Sequence, residues 1–328
     1  MKVAVAFGGS VSPDFKSWYA KDKEKYLFDG DTHHVVYNPV FNYCFFWDGG
    51  CFLNLAELED ELLDLDLDVI IYANERHGLD ESNWDKYSVA RLKDKYPKAK
   101  VIGFIKEITV PPHRYKNWIR FLNDSDYVIA PATGHMKELP VYEIIQSELN
   151  KKINFFTTPH DIDLIYDKFY SDVKDNAIFA YLPNPMHRRG RTVEFAEYIG
   201  NKYNIPVIKK PFTNGSNDAK HMVWDDFTNL WSPCLWHFNL DPSDLQQGQH
   251  IVAVANVGSI NIGGNNESHH VLFPETATCD EKILEERFVE YLNDENKRFE
   301  IIDYAWKKLN EFYSMDLVKN QLLQMLEN

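Results

Sequence analysis

The residues best equipped for chemistry lie close together: His187, Arg188, Arg189 and Arg191, with Gly190 among them. Arginine is a permanent cation whose planar fork matches phosphate oxygens, and glycine lets the backbone approach such a guest. The pattern suits neutralisation of a phosphate or diphosphate; the competing reading is a solvated basic loop. A second polar stretch, Gly263, Gly264, Asn265 and Glu267, follows an apolar run. It offers backbone N–H groups, unless it is a plain turn. Near the start, Gly8, Gly9 and Ser10 form a tight turn where a ligand or another backbone can come close. They are not a G-x-G-x-x-G fingerprint. Asp64, Asp66 and Asp68 alternate like a metal-binding D-x-D, but they precede a strand rather than follow one, so they read as a solvated helix end. His269 and His270 lack a third ligand at metal-binding spacing. His113, Arg114, Lys116 and Arg120 interleave with Tyr115 and Trp118. That mixture can grip a phosphate backbone or a glycan; an amphipathic helix with its aromatics inward is the preferred reading.

The basic cluster is held by a β–loop–α–β unit spanning residues 177–211. Residues 177–181 are an apolar run of strand length, ended by Pro183 and Pro185. Thr192 can cap a helix over 193–203, with Phe195, Ile199 and Tyr203 on one face. The next strand starts at 205–209. The cluster therefore falls between a strand's carboxyl end and a helix's amino end, where free N–H groups and the helix dipole favour an anion.

Elsewhere, strand-like runs at 2–7, 32–37, 67–72, 100–105, 127–130 and 154–157 alternate with helical periodicity at 53–63, 84–96, 115–122 and 141–149. Such alternation predicts a parallel sheet with helices on both faces. The polar stretch 169–176 reads as a linker. A connection at 213–226, a strand at 233–239, a helix at 245–257 ending on Gly258, a strand at 259–262 and a loop at 263–270 come later. Helices at 281–292, 298–312 and 317–326 close the chain. The expected fold class is α/β, with two Rossmann-like domains at 1–172 and 173–328 and room for the last helix to return to the first domain.

The composition fits this reading. The chain has 328 residues, 44% hydrophobic and 14% aromatic, enough for two packed cores. A net charge of −15 argues against nucleic-acid binding through the overall field, though a local basic groove stays open. Cys44, Cys51, Cys234 and Cys279 form no C-x-x-C pair and read as reduced, structural thiols. The opening MKVAVAF is too short for a signal peptide, and no stretch reaches the ~20 apolar residues that span a bilayer. A cytoplasmic protein, of a bacterium or a phage-infected host, is expected.

Three stretches carry a resemblance: YLPNPMHRRGRTVEFAE; LQQGQHIVAVANVGSINIGGNNESHHVLFPE; and the closing DEKILEERFVEYLNDENKRFEIIDYAWKKLNEFYSMD. Strand–basic loop–helix, helix–glycine–strand–glycine-rich loop and the final helices together resemble a two-Rossmann-domain glycosyltransferase of the GT-B type. The likeness is closest to divergent bacteriophage and bacterial members. It implies two domains facing across a cleft, metal-independent chemistry and no cofactor, with a nucleotide-diphosphate sugar as donor substrate. Arg188, Arg189, Gly190, Arg191, Gly263, Gly264, Asn265 and Glu267 would bind the donor, and Gly8, Gly9 and Ser10 the acceptor. An inverting transfer would need a general base, for which Glu75, His77, Glu107 and His135 stand at strand ends. His33 and His34 are adjacent, so at most one faces a cleft. A retaining transfer would need no such base.

One feature departs from the family pattern. Many members carry Glu-x7-Glu beside the late helix, where one carboxylate holds the donor ribose. Here Gln246, Gln247, Gln249 and His250 fall there, with no carboxylate between Asp244 and Glu267; Glu267 or Glu275 could substitute. The acceptor could be a glycan, a lipid-linked precursor, a small molecule or a hydroxymethylated base in phage DNA. The alternatives are a sugar-nucleotide epimerase of the same fold and a non-catalytic nucleotide-sugar or glycan-binding protein.

Overall fold

A computed structural model describes residues 1–8, 18–19, 43, 47, 49–55, 65–74, 79–105, 112–132, 137–181, 191–209, 224–242 and 249–327. The chain forms two compact units, Met1–Pro159 with Val318–Asn328, and His160–Leu317.

The first unit opens with β1 (Val3–Gly8), β2 (Trp18–Tyr19), β3 (Cys51–Asn54) and β4 (Val69–Asn74). Then come α1 (Val89–Lys95), β5 (Lys100–Phe104), α2 (Pro112–Asp124), β6 (Tyr127–Pro131), α3 (Pro140–Glu148) and β7 (Ile153–Phe156). The sheet runs β2-β3-β1-β4-β5-β6-β7, parallel except at the short edge strand β2. β1 is buried at every position because both sheet faces are covered. Ala4 and Ala6 join the core that holds Leu92 of α1 and Phe121 of α2; Val3 and Val5 join the core that holds Val318 and Leu322.

Two expectations shift here. The helix expected over 53–63 starts too early, because Cys51–Asn54 pair in parallel with β1. Phe52 and Leu53 sink into opposite cores, as neighbours on a strand between two layers must; residues 56–64 lie outside the described residues. The helix expected from Trp84 begins instead at Val89, where the Ser88 hydroxyl oxygen accepts from the Arg91 N–H at 3.3 Å. The strand expected at 32–37 and the pair His33 and His34 lie outside the described residues, as does Cys44. Of the aromatic stretch around them, Tyr43 and Trp47 are buried, and the Tyr43 hydroxyl donates to the Thr157 carbonyl at 2.9 Å.

The second unit contains α4 (Ile162–Phe169), β8 (Asp175–Ala180), α5 (Thr192–Tyr203), β9 (Val207–Lys209), α6 (Trp224–Trp231) and β10 (Cys234–Phe238). After them come α7 (Gln249–Asn256), β11 (Ile260–Ile262), α8 (Glu267–Leu272), α9 (Glu281–Asn293) and α10 (Glu295–Tyr313). The closing α11 (Met315–Glu327) belongs to the first unit from Val318 onward. The sheet is fully parallel, in the order β11-β10-β8-β9. Its core joins Ile178 of β8, Phe195 and Ile199 of α5, Trp236 and Phe238 of β10, and Leu284 and Phe288 of α9.

The division falls at Pro159/His160 rather than at the expected 172/173. α4 accounts for the difference. The Asn256 side-chain amide donates to the Ile162 carbonyl at 2.9 Å, and Tyr166 meets Trp306 edge-on at 4.7 Å, so α4 is bound to α7 and α10. α6 and α8 form where loops were expected. α8 has only 6 residues, too few for periodicity to declare itself. No helix among the described residues is long and apolar enough to cross a membrane.

Candidate functional site

In the second unit the chain leaves β8 for β9 on one side, then returns past β8 to β10 and β11 on the other. The winding reverses between β8 and β10, and ligands of open α/β sheets bind outside the carboxyl ends of strands at such a reversal. His187, Arg188, Arg189 and Gly190 follow β8 in the chain and lie outside the described residues.

The described residues of this edge are tied strand to strand. The Tyr181 N–H donates to the Phe238 carbonyl at 2.9 Å, and the Asn239 N–H to the Ile262 carbonyl at 3.0 Å. The Leu240 N–H donates to the Thr192 Oγ1 at 2.9 Å. Thr192 was expected to cap α5; instead Arg191 occupies the cap position, and the threonine hydroxyl pins the helix's amino end to the exit of β10. Tyr181 stacks on His250 of α7 with 4.1 Å between ring centres. Burial, with Asp241 nearby, pushes the Tyr181 hydroxyl up to about 12, so it remains a protonated donor. Asn239 is buried, and its Oδ1 has no hydrogen-bond partner among the described residues. Thr192, Tyr181 and Asn239 were missed as site residues; the available signal was their position, each just past a strand or at the first turn of a helix.

The expected donor residues fall into three groups. Arg191 stands at the amino end of α5, largely exposed, with its guanidinium 3.2 Å from the Glu281 carboxylate. An exposed pair of this kind is worth roughly 0–1 kcal/mol, so an anionic ligand can compete for the arginine. Gly263, Gly264 and Asn265 lie at the same edge, but not as free donors. Their N–H groups go to the Thr276, Thr278 and Asp241 carbonyls at 3.1, 3.0 and 2.9 Å. The expectation that Gly263 and Gly264 donate to a diphosphate is corrected on this ground. Both adopt φ of +98°, and a Cβ on Gly264 would collide with the His269 ring.

Glu267 departs from expectation as well. It belongs to the first turn of α8, not to an open loop, and is fully buried; the Tyr313 phenol is raised chiefly by its own burial and further by the Glu267 charge. Glu275 lies beyond the far end of α8, where it accepts from the Tyr291 hydroxyl at 3.0 Å. Beside them, His269 Nδ1 shares a hydrogen bond with Asn266 Oδ1 at 2.6 Å, and burial lowers the imidazole to about 3. His269 is therefore a neutral strut beneath Gly264. Arg188, Arg189 and Gly190 lie outside the described residues.

In the first unit the winding reverses between β1 and β4, whose carboxyl ends are Gly8 and Asn74. The Tyr72 hydroxyl and the Asn74 side-chain amide both donate to the Tyr87 carbonyl, at 2.6 and 3.2 Å. A Cβ on Gly8 would run into the Tyr72 hydroxyl and meet Asn74 Oδ1 at 2.8 Å. Gly9 and Ser10 lie outside the described residues. So do the candidate bases Glu75 and His77, which follow β4 in the chain, Glu107, which follows β5, and His135, which follows β6.

The weaker patterns resolve simply. Trp118, Ile119, Phe121 and Leu122 of α2 are buried, Arg114 pairs with Asp80 at 2.6 Å, and the Arg120 guanidinium lies 4.7 Å from the Trp84 ring centre. Asp66 and Asp68 precede β4, and Asp68 accepts from the Lys2 N–H at 2.6 Å; Asp64 lies outside the described residues.

No protein-family model matches the chain, and no curated protein matches it in sequence. Solved structures do. An alpha-glucosyltransferase in complex with UDP-glucose and DNA containing an abasic site aligns over 100% of both chains at 12% identity, with a TM-score of 0.63. An alpha-glucosyltransferase with UDP and a 13-mer DNA containing a HMU base gives 0.61 at 12% identity, again over 100% of both chains. Anabaena HepE with UDP and glucose gives 0.59 at 10% identity, over 100% of this chain and 99% of that one. The likeness spans the whole chain and shows the GT-B fold.

Proposed function

We propose that this chain is a glycosyltransferase that moves a hexosyl group from a nucleotide-diphosphate sugar, with UDP as the nucleotide, to an acceptor hydroxyl. The observation that carries the reading is the reversal edge of the second unit. There a strand, an arginine-rich segment and the amino end of a twelve-residue helix follow one another in the chain. A departing diphosphate develops negative charge, and cations with helix N–H groups stabilise it. Arg188 and Arg189 supply the charge, Arg191 supports them once released from Glu281, and Gly190 lets the backbone approach. UDP as the nucleotide is supported by neighbours that were solved with UDP-glucose or UDP.

The acceptor enters at the carboxyl edge of the first unit's sheet, beside Gly8, Gly9 and Ser10. One of Glu75, His77, Glu107 or His135 removes its proton if the transfer inverts. A hydroxymethylated base in DNA is a second acceptor reading, favoured by the neighbour bound to DNA with a HMU base. Against it stand the net charge of −15 and the local engagement of Arg114 and Arg120. A glycan or small molecule is therefore the preferred acceptor.

Calorimetry with UDP tests the donor site. The double substitution Arg188→Ala, Arg189→Ala should weaken UDP binding by at least ~100-fold, two charge-assisted hydrogen bonds being worth roughly 1.5–3 kcal/mol each, while thermal unfolding stays unchanged. Unaltered affinity in a folded double mutant would remove the basis for this site. UDP-glucose turnover separates the activities. Slow UDP release without acceptor marks a transferase, an altered sugar without UDP release marks an epimerase, and binding without turnover marks a binding protein.

A further inference from the structure

A cavity of about 260 Å³ lies within the second unit at the far end of α8, walled by Phe273 and Thr276, Tyr291 of α9 and Tyr304 of α10. It sits just below the ~300–1,000 Å³ of drug-sized pockets, which suits a single ring. Its polar rim carries Glu275, Glu300 and Lys297, and the Arg287 guanidinium, 3.9 Å from Glu275, stands beside it as the second cation. Glu275 accepts from the Tyr291 hydroxyl at 3.0 Å and faces Lys297 Nζ at 3.3 Å, and Lys297 also stands 4.0 Å from Glu300. The remaining wall is aromatic and aliphatic, and Tyr304 keeps 39% of its surface exposed. A site with paired carboxylate and ammonium groups selects no net charge, but it can accept from and donate to neighbouring hydroxyls. An aromatic wall beside it suits the apolar C–H face of a pyranose. The inner wall is Thr276, whose carbonyl holds the Gly263 N–H at 3.1 Å and whose hydroxyl donates to the Asn261 carbonyl at 2.7 Å. The cavity thus shares a wall residue with the reversal edge while being lined by a different set of side chains.

We infer that this cavity is a second carbohydrate site, binding one neutral pyranose unit between Tyr304, Tyr291 and the Glu275–Lys297 pair, separate from the donor site. It holds whether or not the chain transfers sugar. The probe is methyl α-D-glucopyranoside, observed by saturation-transfer NMR on the full chain, with and without saturating UDP. Saturation should reach the sugar in both conditions. Tyr304→Ala should weaken binding by about tenfold, the order expected for losing one aromatic contact, and Lys297→Met should weaken it too, with UDP affinity unchanged in both variants. Tyr304 is partly exposed, so its truncation leaves the core intact. Four results would overturn the inference: no transfer to the sugar, loss of the whole signal on adding UDP, indifference to both substitutions, or binding of indole in place of the sugar. Failure of UDP to bind at all would count against the donor site and leave the sugar result standing.

Discussion

The two sheets end in glycine corners of opposite character. At Gly8 the backbone is ordinary, and only the Tyr72 hydroxyl and Asn74 side chain forbid a methyl group. At Gly264 a left-handed φ and the His269 ring forbid it together. The first corner closes on its own tyrosine; the second bends the chain so that its N–H groups reach residues 276–278. A glycine at a strand exit is thus weak evidence of a phosphate cradle, since packing or a turn can claim it. In the second unit the amino end of α5, beside Arg191, is the place where we propose that an anion binds. The units also differ in their buried histidines. Among the described residues the buried histidines, His160, His237 and His269, all belong to the second unit.

That difference gives the largest expected effect. Burial lowers His160 to about 4 and His237 and His269 to about 3, so the folded unit keeps them neutral where an unfolded chain would protonate them. Between those values and the unfolded pKa near 6.5 the unfolded state binds more protons, so stability falls as pH drops through that window and is intact above it. At pH 5 each histidine costs about 2 kcal/mol relative to pH 7.5, about 6 kcal/mol for the three. Hydrogen exchange at pH 5 should show residues 160–317 losing protection before the described residues of the first unit. If the first unit opened earlier, the contrast would be wrong.

Next in size is Gly264→Ala. Left-handed backbone costs a residue with a Cβ about 1–2 kcal/mol, and forcing a methyl into the His269 ring adds about 1–3 kcal/mol. Chemical denaturation should show a loss of about 3 kcal/mol. A loss under about 1 kcal/mol would mean that His269 swings aside and is no strut.

Much of this was legible in the sequence, for reasons that individual residues make plain. Val3, Val5 and Ile71 announce buried strands because both faces of a parallel sheet are covered, so the apolar run is nearly unbroken. The closing helices were visible because 13 to 19 residues give several turns of periodicity. What was hidden depends on contacts between distant residues. Nothing local in Thr192 says that its hydroxyl will take the N–H of Leu240, 48 positions away. Glu267 looks like an open-loop carboxylate because α8 is short, yet it is fully buried. The polar stretch after Phe169 mimics a linker, while the division at Pro159 carries only a proline and a histidine.

The first corner offers a smaller effect and a way to test its cause. Gly8→Ala should cost about 2 kcal/mol through overpacking alone, with no backbone contribution. Tyr72→Phe removes the colliding hydroxyl, so the double mutant should recover part of that loss beyond additivity, against the cost of the bond to the Tyr87 carbonyl. A double-mutant cycle measures it. Strict additivity would place the strain elsewhere.

The smallest effect joins the fold to the proposed function. Thr192→Val keeps the shape of the side chain and removes the acceptor, leaving the Leu240 N–H buried without its partner at a cost of roughly 1–3 kcal/mol. Thr192→Ser keeps the oxygen and should lose less. Because this bond fixes the amino end of α5 against the exit of β10, valine should also weaken UDP binding several-fold, and serine should not. If stability fell with valine while UDP affinity held, α5 would be positioned by Phe195 and Ile199 in the core, and the Thr192 tether would serve only the fold. If affinity fell with stability and serine restored both, the tether would set the geometry of the anion site, a role that no glycine at either corner fills.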